Sequence, residues 1–180
     1  DRAYTMIGHG GHGTTGSAAR GSGTVEIDGE MLMLRGGGAQ AFAKIGHGGY
    51  GFNGALGSTG AEVKVVSETA GLTMKNGDGV NSFAMIGMGG RNNSGSKTGK
   101  IVVSTVSGVL MDGGAGTGVG GFMLIGHGGH SSGGGTFSGD VEVTGSAVDS
   151  AITMLGGHQA GPVAFVHHQP HEHLRLSTFP

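Results

Sequence analysis

Four stretches of the chain alternate apolar and polar residues with a period of two: "GTVEI" at 23–27, "AEVKV" at 61–65, "GKIVV" at 99–103 and "GDVEV" at 139–143. A period of two puts successive side chains on opposite faces, which is the signature of a strand with one buried side. Val63 and Val65 therefore point inward and Lys64 outward, as do Val141, Val143 and Glu142 in their turn. Each stretch is followed by a shorter alternating one: "EMLML", "GLTMK", "GVLMD" and "AITML". No window carries apolar residues at i, i+3, i+4 and i+7 without glycine between them, so no helix is expected.

A third element precedes each pair. Ile7, Ile45, Ile86 and Ile125 recur at steps of 38, 41 and 39, and an aromatic residue stands three positions before each: Tyr4, Phe42, Phe83 and Phe122. Glycine and histidine follow in three copies, as Gly8-His9, Gly46-His47 and Gly126-His127, whereas Gly87 is followed by Met88. The chain thus divides into repeats at about 4–41, 42–82, 83–121 and 122–161, within a repeat region of 1–161. A degraded fifth copy begins at "VAFVHH", inside a divergent segment at 162–180.

Copies of this kind predict an all-β chain folded as a parallel β-helix, or β-solenoid, in which like positions stack about 4.8 Å apart. Phe42 lies 21 residues before Val63, and Val63 lies 20 before Phe83. Each repeat is accordingly read as two rungs of about 20 residues. In this reading Ile7, Ile45, Ile86 and Ile125 form an internal ladder. Gly8, His9, Gly46, His47, Gly87, Gly126 and His127 form the stacked corner after it, where glycine supplies positive φ. A propeller blade has a similar period, but the aromatic and turn signatures of blades are missing and the chain has no Trp.

Composition narrows the function. Of 180 residues 44 are glycine, without a collagen period, and 36% are hydrophobic, which favours an ordered core over disorder. A formal net charge of −2 with no basic block offers nucleic acid little to hold. No apolar run reaches the roughly 20 residues of a membrane span, so insertion is not expected. Cysteine is absent, which removes disulfide and thiol chemistry.

Candidate chemistry is sparse. Zinc needs several ligands about 2.0–2.3 Å from one point. On a two-rung repeat, His9, His47 and His127 would lie roughly 9–10 Å apart, too far to share an ion. "NGDGVNSF" at 76–83 and "GGAGTGVGGF" at 113–122 resemble a calcium solenoid only superficially, since the second has no carboxylate and the period is wrong, and "GSKTGK" at 95–100 is no phosphate loop. Carboxylates and cations such as Glu26, Glu62, Lys64, Asp140 and Glu142 are single and scattered, so no catalytic residues are assigned and no cofactor is expected. The segment 162–180 holds all three prolines together with His167, His168, His171 and His173. Its composition fits a cap or tail, and those four histidines are candidates for a divalent ion on composition alone.

The units "FAKIGHGGYGFNG…" and "FMLIGHGGHSSGGGTFSGDVEVTG…" resemble the repeats of filamentous-haemagglutinin-type secreted proteins, across about residues 3–160. That resemblance implies a right-handed coil, a place outside the cell or on the bacterial surface, and a role as adhesin stalk or extracellular fibre. The alternative is an adhesin module that binds a glycan or a receptor, for which Tyr50 and Phe52 are the one pair of loop aromatics. Only "DRA" precedes the first repeat, and the tail diverges from the rest. Self-association is therefore expected head to tail, one subunit's tail covering the next subunit's first rung.

Overall fold

The structure, a computed structural model, describes residues 3–13, 22–113, 119–147, 151–155, 163–166 and 174–178. Every element among them is a β-strand, and every strand pair is parallel. Three sheets result. The first runs β1 (Tyr4–Ile7), β5 (Phe42–Tyr50), β8 (Phe83–Arg91), β11 (Phe122–Gly128), β15 (Val163–Val166), with β2 (Gly10–His12) also on β5. The second runs β16 (Leu174–Thr178), β13 (Val141–Gly145), β9 (Lys97–Thr105), β6 (Leu56–Ser67), β3 (Thr24–Gly29), with β12 (Phe137–Ser138) on β9. The third runs β14 (Ala151–Leu155), β10 (Gly108–Asp112), β7 (Leu72–Lys75), β4 (Leu32–Arg35). The fold is a β-solenoid.

The pairing corrects the rung count. Phe42 pairs with Phe83 and Ile45 with Ile86, while Val63 pairs with Ile101 and Leu72 with Val109. Each repeat of about 40 residues is one three-sided coil, and the "FAxI", "VxV" and "LxM" strands belong to three different sheets. Spacing along the chain found the three main strands of each repeat, missed the short β2 and β12, and did not say which strands share hydrogen bonds. Adjacent repeats are therefore adjacent coils.

Inside the coil the period-two reading holds. Val63, Val65, Ile101, Val103, Val141 and Val143 have no exposed surface, and they meet Ile45, Ile86, Ile125, Leu72, Met74 and Met111 in one cluster. Ile7 lies in register with Ile45 but is 48% exposed, so the isoleucine ladder is buried only from Ile45 onward. Outward residues pair across coils, as Lys64 does with Glu26 at 2.6 Å. Both of those side chains are about half exposed, and such pairs contribute little.

The first sheet departs from a flat face. Gly46, His47, Gly48 and Gly49 are not a corner between strands but part of β5, and each pairs with its counterpart in β8. The strand bends through them. Phe122 and His130 are eight residues apart, and their ring centroids lie 6.5 Å apart. Eight extended residues would span roughly 26 Å. The concave side of this arc encloses a second cluster of Phe42, Phe83, Met85, Phe122 and Leu124, all 2% exposed or less. Arg91 closes the arc by donating from Nη1 to the Gly120 carbonyl. Within the cluster the phenylalanine rings stack at 4.7 Å with 6° between planes, a spacing imposed by the strands beneath them.

Glycine makes the bend possible. Gly87 has φ of 130°, and a Cβ there would lie 2.1 Å from the Gly126 carbonyl oxygen of the next coil. Gly46 meets the Gly87 carbonyl oxygen at the same 2.1 Å. A side chain in this column is opposed by both φ and the neighbouring backbone.

Two outcomes test this account. Ile86→Asp abolishes folding, because an unpaired carboxylate in the core costs several kcal/mol, whereas Lys64→Ala leaves the urea midpoint close to that of the parent. Equal urea midpoints for the two variants would refute the register. Gly87→Ala loses about 3 kcal/mol or more, and His47→Ala loses about 1–2 kcal/mol. The reverse order of midpoints would show that the imidazole, rather than the backbone path, sets the bend.

Candidate functional site

Along the curved strands, residues 9, 47, 88 and 127 form one column on the face toward the main core, since His47 and His127 both pair with Met88, Gly10 pairs with Gly48, and Met88 belongs to the main cluster. His9 and His47 are in direct contact. Their rings stack with centroids 5.1 Å apart, and Nδ1 of one lies 3.2 Å from Nδ1 of the other. The separation of 9–10 Å expected from a two-rung repeat is thus corrected to one strand spacing. Met88 separates His47 from His127, so only the first two histidines of the column are neighbours.

The hydrogen bonds assign the His47 tautomer. Its Nδ1 accepts from the His9 main-chain N at 3.3 Å, while Nε2 lies 3.3 Å from the Gly23 carbonyl oxygen. A carbonyl only accepts, so Nε2 carries the proton and Nδ1 carries the lone pair. His47 has no exposed surface, and burial lowers its pKa. The Gly23 carbonyl acts in the opposite sense, and the charges of His9 and Lys44 lower it further. The ring is therefore neutral at neutral pH. His9, in contrast, is exposed.

Two lysines are also inside. Lys44 is 2% exposed and donates from Nζ to the Gly87 carbonyl at 2.8 Å. Burial, and next the charge of Lys97, hold its pKa well below the ordinary value. Lys97 has no exposed surface. Its Nζ donates to the Ser94 carbonyl at 2.8 Å and to that of Gly95, and lies 5.6 Å from the Phe137 ring centroid. Burial lowers the Lys97 pKa to about 8. Main-chain carbonyls supply partial charge to each ammonium but no full counter-charge.

Alternation alone missed both lysines, yet the repeats carry a signal. Lys44 aligns with Met85 and Leu124, and Lys97 aligns with Leu56 and Phe137. Every counterpart is apolar, so each lysine occupies a position that other coils fill with hydrocarbon or an aromatic ring.

The outer surface is less organised. A hollow of about 420 Å³ on the second sheet is lined by Thr59, Glu62, Thr98, Lys100 and Asp140, and one of about 340 Å³ on the third by Thr73, Ser107, Leu110 and Thr153. Phe52 is 1% exposed and its main-chain N bonds to Asn93 Oδ1, while Tyr50 is half-buried and stacks on His12 at 4.9 Å. Phe52 is therefore in the core, and Tyr50, read as a loop residue, is the last residue of β5 and half-buried. Among the described residues no three His, Cys, Asp or Glu side chains converge on one point. His167, His168, His171 and His173 lie outside the described residues. Among the described residues no helix is long and apolar enough to cross a membrane. Compared with known proteins, the chain matches no family model, no curated protein and no solved structure.

The Lys97 environment sets a pH dependence. Its proton is held more weakly in the folded chain, at about 8, than at the ordinary 10.5. The folded state therefore gains stability as pH rises from about 8 toward 10.5, and bears the full penalty below that window. Lys97→Met is expected to be more stable than the parent at pH 7 by about 1 kcal/mol or more. That advantage shrinks toward pH 10. Denaturant midpoints at the two pH values check it, and a pH-independent difference would show that the ammonium is not desolvated.

Proposed function

We propose that the chain is a structural, non-catalytic β-solenoid, acting outside the cell or on a bacterial surface as a segment of an adhesin stalk or as the subunit of a filament. The observation that carries this reading is the in-register stacking of like residues from coil to coil, such as Phe42 on Phe83 on Phe122. Such a unit is extended by repetition, because each coil presents the next with the surface it met itself. Coil-on-coil contact between copies of the chain would reuse the same stacking. Contacts of this heterologous kind do not close and lead to filaments. Glycan binding has less support, since Phe52 is in the core and Tyr50 is stacked.

Light scattering and negative-stain microscopy across a concentration series test the proposal. Rods of constant width that lengthen with concentration are the expected outcome for a filament subunit, and short rods of fixed length fit a stalk segment. Round particles with saturable, specific binding on a glycan array would overturn the structural reading.

A further inference from the structure

The spacing of the His9 and His47 Nδ1 atoms matches that of a chelating pair. Two nitrogens bound at 2.0–2.1 Å to a tetrahedral ion stand about 3.3 Å apart, whereas a linear two-coordinate ion would hold them about 4 Å apart. The Nδ1 atoms of His9 and His47 are separated by 3.2 Å. His47 is already in the ligand tautomer, because Nε2–H is engaged by the Gly23 carbonyl and the Nδ1 lone pair is directed at His9. A backbone carbonyl that fixes the remote ring nitrogen is the usual support of a metal-binding histidine. His9 is exposed and its ring can take up the Nε2–H tautomer through solvent, which frees its own Nδ1.

We propose that His9 and His47 form a two-nitrogen site for zinc(II), entered from the His9 side, with its remaining positions open to water or to donors of a bound ligand. The ion replaces two long contacts, the 3.2 Å bond between the rings and the 3.3 Å bond from the His9 main-chain N. One strand further along, the column holds Met88. Its thioether is a soft donor ill suited to zinc, which confines the site to the His9–His47 pair. The site does not depend on the structural role proposed above. It also differs from the tail histidines, which are far along the chain and carry a separate composition-based expectation.

Competitive zinc titration of the full chain against a chromogenic chelator, followed by cobalt(II) absorption, tests the proposal in two variants. Because His9 is exposed, His9→Ala is expected to keep the parent's circular dichroism spectrum. It is also expected to lose one equivalent of zinc, or to bind that equivalent more than about tenfold more weakly. The variant with His167, His168, His171 and His173 all changed to alanine retains that equivalent, with the visible bands of tetrahedral cobalt. Identical zinc stoichiometry and affinity for His9→Ala and the parent would overturn the site. So would a tail variant that binds no zinc at all, because every bound ion would then belong to the tail.

Discussion

The whole molecule depends on one constraint: each coil must hydrogen-bond to the next in parallel register, so each residue sits one strand spacing from its counterpart in the neighbouring repeat. This spacing explains why the repeats are so alike. A phenylalanine beneath a phenylalanine finds a ring at 4.7 Å, and a valine beneath an isoleucine finds a branched side chain of similar shape. It also explains the glycines of the first sheet. Where β5, β8 and β11 curl, the positive φ would aim a side chain at the neighbouring coil, so a Cβ at Gly87 would stand 2.1 Å from the Gly126 carbonyl oxygen. Glycine alone fits a column that is both bent and stacked.

The curl gives the coil its second interior. A flat first sheet would leave Phe42, Phe83 and Phe122 on an outer face. Bent, it wraps them with Met85 and Leu124 in a cluster of their own. The bend directs the Gly87 carbonyl toward the Lys44 ammonium, the turn before β9 offers the Ser94 and Gly95 carbonyls to Lys97, and the one-strand register brings His47 under His9. Polar groups thus survive inside a narrow solenoid because curved backbone supplies acceptors that a straight ladder would use up. Each is held on terms that favour the neutral form, as the lowered pKa values of Lys44, His47 and Lys97 express.

Much of the candidate site lay beyond the sequence for the same reason. The column of residues 9, 47, 88 and 127 is visible as a repeat, yet whether its members touch depends on how many coils separate them. A repeat of about 40 residues is compatible with one three-sided coil or with two smaller rungs. Those alternatives place His9 and His47 at one strand spacing or at two, which decides between contact and independence. The buried lysines were hidden differently. Lys44 follows Ala43 and precedes Ile45 in good alternation, so it reads as an outward residue on a solvated face. That face turned out to be the inside of an arc.

By itself the sequence determined the strand content, the order of strands within a repeat, the inward valines and isoleucines, and the positions that only glycine can fill. These follow from side-chain alternation and local sterics, which act over a few residues and are written in every copy. Only the tertiary structure decided which strands are partners, that one repeat makes one coil, that the "GHGG" run is bent strand, and which charged or titratable groups end up enclosed. Those are properties of backbones meeting across about 40 residues of chain, and no local pattern encodes the distance between residues that meet only after the coil has closed.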